Sequence, residues 1–341
     1  MTIRHLQVVI PDALAQLRTL SKQVKPLSAF PVLEHCLHFG LKAQLWQADD
    51  LSHARVDAWQ QSLLYALPRE CRHHGAASAR LTWLGEEGDA RSGSCFQVMP
   101  VHFQVGLDDV RYLLPPPLSS VEADAIFESM KPLLASAGFD LLQASSEAGA
   151  NWYLWCDREL KINTFSLHNL SNSRLFNLMP QGADAGELRR LMTELQMLLH
   201  EHPVNQQRER RGLLPVNAFW FHGHAPVKAV SCSNKSLVMS HSPYVRGLCY
   251  GLNLECLTLP NDVRALPNMN AEQVLLVLPS ISLQSVEKEW LKELYAVLLK
   301  GHIDQLDIHL DNWQITLYGG RWSQWRRLFR GKQQEMKGFF S

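Results

Sequence analysis

No part of the chain approaches the ~18 consecutive apolar residues that cross a bilayer as a helix. Its apolar runs are short, and VLLVLP at Val274–Pro279 is strand length. The opening residues, MTIRHLQVVIPDALAQL, carry too short an apolar run for a secretory leader and no small-residue cleavage site, so a cytoplasmic location is expected. Charge of neither sign dominates: 33 Lys+Arg stand against 33 Asp+Glu, which argues against a surface that coats nucleic acid. The seven cysteines are odd in number and dispersed, with no C-x-x-C pair. That pattern fits neither a zinc ribbon nor a disulfide framework, so reduced, buried thiols are expected. Also missing are a G-x-G-x-x-G after the first strand, a Walker loop, a G-x-S-x-G elbow and any specific nucleic-acid-binding motif.

What is present is a large core. At 341 residues, 46% hydrophobic and 19% charged, the chain suits one large α/β domain or two modest ones. LQVVIP at Leu6–Pro11 predicts a buried strand with a helix after Ala13. AFPVLEHCLHFGL predicts a helix entered near Pro31 and stopped at Gly40, and Asp49–Arg69 is helical by periodicity. FQVMPVHFQV at Phe96–Val105 alternates as a strand, and Pro115–Pro117 form a rigid boundary. Ser120 is expected to cap a helix that ends at Gly138. NWYLWC and KINTFSL predict strands, Ala185–His200 an amphipathic helix ended by Pro203, and VNAFWF a buried strand. KAVSCS, LECLTLP and QVLLVLP predict further strands, SVEKEWLKELYAVLLKG a helix, and LDIHL with WQITLYGG the closing strands. Strand–helix alternation at both ends implies an α/β sheet, while the middle reads as α+β.

The stretch HEHPVNQQRERRGLLPVNAFWFHG, His200–Gly223, carries the most specific pattern. Written as H-P-V-N-x-x-R-x-x-x-G-x-x-P-V-N-x-x-W-x-x-G, it resembles the RpfE-type bacterial regulatory proteins. VMPVHFQVGLDDVRYLL, EADAIFESM, NWYLW, MPQG and SPYVRGLCYGLNLECL agree with that family's layout from about Phe96 onward. More distantly, the motif is similar to the archaeal-type cofactor-independent phosphoglycerate mutases. That resemblance implies an alkaline-phosphatase-like α/β core, mostly a parallel sheet with flanking helices, and an inserted α+β subdomain. The expected division is 1–93 plus 224–320 for the core, 94–223 for the insertion, and 321–341 for a basic-aromatic tail.

Those enzymes use two divalent metals and a serine or threonine nucleophile, and the chain departs from their pattern. Asp12 ends the first strand where the family's first metal-binding aspartate would stand. SISLQSVEKEW follows QVLLVLP where Asp-Glu…His-Asp is expected, and Asp311-Asn312 follows LDIHL where Asp-His is expected. No glycine-framed serine nucleophile appears between Asp49 and Gly93. One aspartate cannot clamp both oxygens of a phosphoryl transfer. The implied protein is a non-catalytic regulatory or binding protein on a degenerate scaffold. No cofactor is expected, and a divalent metal only if a diverged mutase or phosphatase site survives.

Asn205, Arg208 and Asn217 are the candidate contacts for a phosphorylated or carboxylate ligand, an arginine fork beside two amides. The structural alternative pairs Arg208 with Glu201 or Glu194 and spends the amides on backbone groups. His202, Pro203, Gly212, Pro215, Trp220 and Gly223 are expected to shape the chain. Asp12, His222 and His224 are weak candidates for a metal. The partner is a small anionic ligand or an unknown protein. The tail, with Arg326, Arg327 and Arg330 among Trp322, Trp325 and Phe329, offers peripheral membrane or single-strand contact as a third possibility.

Overall fold

A computed structural model describes residues 3–22, 30–46, 55–72, 74–106, 110–144, 151–166, 178–226, 232, 236–269 and 271–319. The basic-aromatic tail and most of KAVSCS lie outside the described residues. The chain divides into two compact units, residues 1–53, 58–72 and 230–341 in one and residues 54–57 and 73–229 in the other.

The first unit is built on seven strands: β1 (Ile3–Ile10), β2 (Leu41–Gln44), β8 (Leu237–Ser240), β9 (Cys256–Leu257), β10 (Gln273–Val277), β11 (Ile303–Leu310) and β12 (Trp313–Tyr318). Their order is β2-β12-β11-β1-β10-β8-β9. The five strands from β11 to β9 run parallel, while β12 and β2 close one edge antiparallel. Central parallel strands are covered on both faces, which is why β10 reads as a near-continuous apolar run and β1 does so over its last three residues, Val8, Val9 and Ile10. Val8, Val9 and Ile10 are at most 1% exposed, as are Val274–Val277. Helices α1 (Ala13–Lys22), α2 (Pro31–Phe39), α3 (Ala58–Ala66), α8 (Pro243–Leu252), α9 (Leu283–Ser285) and α10 (Lys292–Leu299) flank the sheet. Between α9 and α10 the helix widens to a π-helical stretch, Val286–Leu291. There Glu287 accepts from Val32 N at 2.6 Å and Leu33 N at 3.1 Å, capping the otherwise open N-terminus of α2.

The second unit is an antiparallel sheet of β3 (Ser94–Val105), β4 (Val110–Leu113), β5 (Asp140–Ala144), β6 (Asn151–Cys156) and β7 (Ala218–His222). The path runs β4-β3-β6-β5, and β7 also pairs with β3. Helices α4 (Ser78–Glu87), α5 (Ser120–Ser136), α6 (Ala185–His200) and α7 (Pro203–Arg210) belong to it. Leu188, Leu191, Leu195 and Leu199 of α6 meet Ile126, Met130 and Leu134 of α5 in one core with Phe219 and Phe221.

Several expectations differ from this structure. The units part near residue 72 instead of Gly93, because Ala79 and Trp83 of α4 pack on Cys95, Tyr153 and Trp155 of the second sheet. Ser119, not Ser120, caps α5: its side chain accepts from Glu122 N while Glu122 bonds back to Ser119 N, a capping box. Pro203 does end α6, but it also opens α7 from position N1, where its missing N–H costs nothing. Among the described residues of KINTFSL, Asn163 alone forms a β-bridge, to Gln181. Not every thiol is free: Cys71 is disulfide-bonded to Cys232, 161 residues away. Cys36, Cys95, Cys156, Cys249 and Cys256 are free, and all but Cys256 are buried.

Candidate functional site

The His200–Gly223 motif folds as the end of α6, the short helix α7 and the entry to β7. His202 is the N-cap of α7 and accepts from Val204 N through Nδ1 at 3.3 Å. Asn205 is 4% exposed. Its Nδ2 donates to Leu199 O at 2.8 Å and Val216 O at 2.6 Å, and its Oδ1 accepts from Val216 N at 2.9 Å. It thereby stitches the end of α6 to the approach of β7.

Arg208 is fully buried, with all three of its nitrogen positions engaged. Nε donates to Leu214 O at 3.0 Å, one terminal nitrogen to Pro116 O at 2.7 Å, and the other to Glu122 Oε2 at 3.2 Å. The pairing is with Glu122, not with Glu201 or Glu194. Glu122 is the same carboxylate that closes the α5 capping box, and its bonds to Ser119 followed by the charges of Arg208 and Arg211 hold its pKa low. Asn217 lies just before β7. Its Oδ1 accepts from Phe103 N at 2.7 Å and its Nδ2 donates to Phe103 O at 2.9 Å, so the amide adds one rung to the β3–β7 ladder.

The remaining motif residues set geometry. Gly212 has φ +69° and follows α7, with Leu213 N bonded back to Arg208 O. Gly223 has φ +77°, and a Cβ there would lie 2.7 Å from Ala79 N. Pro215 O contacts His102 Nδ1 at 3.0 Å. Trp220 is 1% exposed, and its indole donates to Phe165 O at 2.8 Å. The structure therefore brings Asn205, Arg208 and Asn217 to one region of the second unit, and the polar atoms named above bond the chain itself.

Of the weak metal candidates, His224 is 3% exposed, with Nε2 on Leu160 O at 3.0 Å and its ring 4.7 Å from that of Phe96. Burial, ahead of its other neighbours, depresses its pKa. His222 lines a cavity of about 450 Å³ together with Gln97, Pro100, Asp124, Gln143 and Trp152. This cavity opens where β3 changes partners: β6 pairs with it as far as Val98 and β4 only from His102. Pro100 lies in that gap, which explains a proline in the middle of a twelve-residue strand. Among the described residues no three His, Cys, Asp or Glu side chains are grouped to hold a metal.

The first unit brings different residues to the carboxyl edge of its parallel strands, the usual position for ligands in an open α/β sheet. Asp12, in a left-handed conformation at φ +57°, accepts from Ser280 Oγ at 2.7 Å. Asp311, 8% exposed, accepts from Leu14 N at 3.0 Å and so caps the start of α1. Asn312 donates to Trp46 O at 3.2 Å. Ser240 closes β8, donating to Val277 O and accepting from Ser242 N at 3.1 Å. A two-metal phosphoryl-transfer centre needs several carboxylates and imidazoles converging on two ions. Here one aspartate is committed to a helix start and the other to a serine, so these residues do not fit that pair of metals.

One cluster has no counterpart in the motif analysis. His5 Nε2 lies 2.7 Å from Asp307 Oδ2, Gln305 donates to both oxygens of Asp307 at 3.1 Å, and His309 Nε2 lies 3.2 Å from Gln7 Oε1. The register of β1 on β11 sets His5 beside Gln305 and Gln7 beside Asp307. His309 is 1% exposed, and its Nδ1 has no hydrogen-bond partner among the described residues. Burial pushes its pKa down to about 4, against a smaller upward pull from Asp307. The sequence signal was the period-two polar pattern of IDQLDIHL set against RHLQ.

Comparisons with known proteins find distant similarity in sequence to one group of proteins. No family model matches the chain, so its resemblance to the RpfE-type proteins rests on the quoted motif. Over 145 residues it is 24% identical to a probable 2,3-bisphosphoglycerate-independent phosphoglycerate mutase of Geobacter sulfurreducens, covering 40% of this chain and 36% of that protein. Over 63 residues it is 35% identical to the 2,3-bisphosphoglycerate-independent phosphoglycerate mutase of Methanothrix thermoacetophila, covering 18% of this chain and 16% of that one. The matches thus span well under half of either relative. Among solved structures, the cofactor-independent phosphoglycerate mutase of Thermoplasma acidophilum aligns over 93% of this chain and 89% of its own, with 15% identity and a TM-score of 0.41. A Pyrococcus horikoshii protein aligns over 94% and 88%, with 12% identity and a TM-score of 0.43. The chain is distantly similar in sequence to the cofactor-independent phosphoglycerate mutases.

Proposed function

We propose that this chain is a non-catalytic binding protein on a phosphoglycerate-mutase-like scaffold, and that it takes a small phosphorylated or carboxylate ligand at the carboxyl edge of the parallel sheet. The observation that carries the proposal is the use made of the acidic residues at that edge. Asp311 is spent on the first turn of α1 and Asp12 on Ser280. Hydroxyls occupy the ends of β8 and β10, at Ser240, Ser280 and Ser282, and Arg246 stands in α8 close by in sequence. With both aspartates engaged by donors of the chain, their repulsion of an anion at this edge is reduced without a metal ion. The three polar residues of the His200–Gly223 motif serve the fold of the second unit in this proposal, so the ligand is placed away from them.

The test is a thermal-shift titration with 3-phosphoglycerate, with and without manganese, on the wild type and on Asp12→Asn. A ligand at 100 times its Kd stabilises the native state by about 2.7 kcal/mol. The expected outcome is a shift that ignores manganese, with no mutase turnover in either condition. Manganese-dependent turnover that Asp12→Asn abolishes would restore the enzyme. Absence of any shift would remove phosphoglycerate and leave a protein as the partner to seek.

A further inference from the structure

One guanidinium of the first unit is left without an acceptor. Arg72 ends the short 3-10 turn Arg69–Cys71, and its backbone N–H bonds back to Arg69 O at 3.3 Å. Its Nε is buried and donates to nothing among the described residues. No carboxylate among them pairs with its terminal nitrogens. Arg4 and Arg264 of the same unit are ion-paired instead, 3.6 Å from Glu272 and 3.2 Å from Glu293. A buried cationic donor without an acceptor is costly, so its place in the fold needs an explanation.

Aromatic contacts hold that guanidinium and locate it. Its central carbon lies 4.2 Å from the centroid of the Tyr65 ring of α3, a cation–π contact. The Tyr65 ring stacks on Trp46, with centroids 5.3 Å apart and planes 27° from parallel. Trp46 O accepts from Asn312, two residues past the carboxyl end of β11. Ser62, one turn before Tyr65 in α3, donates to Asp311 O at the same end. The stack therefore sets Arg72 beside the carboxyl edge of the parallel sheet. Cys71, the residue before it, is disulfide-bonded to Cys232, which anchors the turn that carries Arg72. An aromatic ring engages the face of a guanidinium, whereas the N–H groups lie in its plane and need oxygen acceptors. The face is satisfied here and the fork is open. A side chain already restricted by stacking also loses little rotamer freedom when it binds.

We propose that Arg72 holds the oxyanion, phosphate or carboxylate, of the ligand placed at this edge. The inference rests on that binding reading and names its anchoring residue. Arg72 donates N–H groups to two oxygens of the anion, and Tyr65 with Trp46 keeps the fork in position.

The test is calorimetric titration of the full chain with 3-phosphoglycerate, inorganic phosphate and acetate at constant ionic strength. Arg72→Gln should weaken 3-phosphoglycerate about tenfold or more, and Arg72→Lys, which keeps the charge without the fork, severalfold. Arg264→Gln, the same change of charge at an exposed ion-paired site, should leave the affinity unchanged. Phosphate affinity lost in Arg72→Gln assigns the fork to the phosphoryl end of the ligand, and acetate affinity lost assigns it to the carboxyl end. The wild type gives a second readout that needs no substitution. There 3-phosphoglycerate should slow the phenylglyoxal modification of Arg72, mapped by mass spectrometry, and not that of Arg264. Undiminished affinity in Arg72→Gln, or modification of Arg72 that ignores the ligand, would overturn the assignment and leave binding at the edge standing. A wild type that binds none of the three anions would remove both.

Discussion

The two sheets treat buried polar side chains in opposite ways. In the second unit they act as backbone: Asn217 completes a ladder rung, Asn205 joins a helix end to a strand entry, and Arg208 ties two carbonyls and a capping carboxylate together. In the first unit Glu287, Asp311 and Ser240 also bond to backbone, but one strip on β1 and β11 bonds side chain to side chain: His5, Gln305 and Asp307 form one group, and Gln7 with His309 forms the next. The first arrangement ties backbone groups together and fixes one geometry, with Glu122 Oε1, lacking a hydrogen bond among the described residues, set 3.7 Å from the Arg211 guanidinium. The second leaves His309 Nδ1 without a partner among the described residues, and so leaves a group that titrates. A satisfied network specifies structure, whereas a partly satisfied one stores sensitivity to conditions.

The sharpest way to break this contrast is Arg208→Ala. It leaves Leu214 O and Pro116 O without their donors and Glu122 beside only the more distant charge of Arg211, at 3.7 Å. Removing one partner of a buried ion pair costs about 3–5 kcal/mol. Urea unfolding should show that loss, while the seven-stranded sheet of the other unit is chemically untouched. A loss under about 1 kcal/mol would mean that Arg208 is not the tie described here.

The next effect belongs to the first unit and depends on pH. His309 has a folded pKa of about 4, below the ~6.5 of an unfolded histidine. Between those values the unfolded chain binds more protons than the native one, so native stability falls as pH drops through the window from about 6.5 to about 4. The slope approaches about 1.4 kcal/mol per pH unit for one such group. His309→Gln keeps an amide beside Gln7 but cannot titrate, so the slope should flatten by that amount. His202 and His224, both held below their usual pKa mainly by burial, supply the slope that remains. An unchanged profile in His309→Gln would show that the buried strip is not the sensor.

Local physics was legible in the sequence, and distant pairing was not. The amphipathic α6, the apolar β10 and end of β1, and the proline boundary before α5 are written in periodicity over a few residues. Ser119, rather than Ser120, became the N-cap because Glu122 sits at its third following position, a spacing visible in SSVE. Arg208 suggested an anion site because an arginine beside amides suits phosphate, but Glu122 lies 86 residues earlier and no local pattern announces it. Cys71 and Cys232, 161 residues apart, carry even less of a signal. The departures at the mutase-like edge were readable as residue types. That Asp311 caps α1 depends on where β11 ends relative to β1, a matter of register.

The smallest effect tests the backbone-like role most directly. Asn217→Ala removes one donor and one acceptor and leaves both backbone groups of Phe103 unpaired on that edge. Each abandoned group costs on the order of 1 kcal/mol, so a loss near ~2 kcal/mol with an unchanged denaturant slope is expected. The decisive reading is local. Amide exchange should quicken at Phe103, while Val98, paired to Phe221 farther along β7, keeps its protection. If Asn217 contacted a ligand and merely rested on β3, Phe103 would exchange at the same rate in both proteins, and the extra rung would add nothing to the sheet.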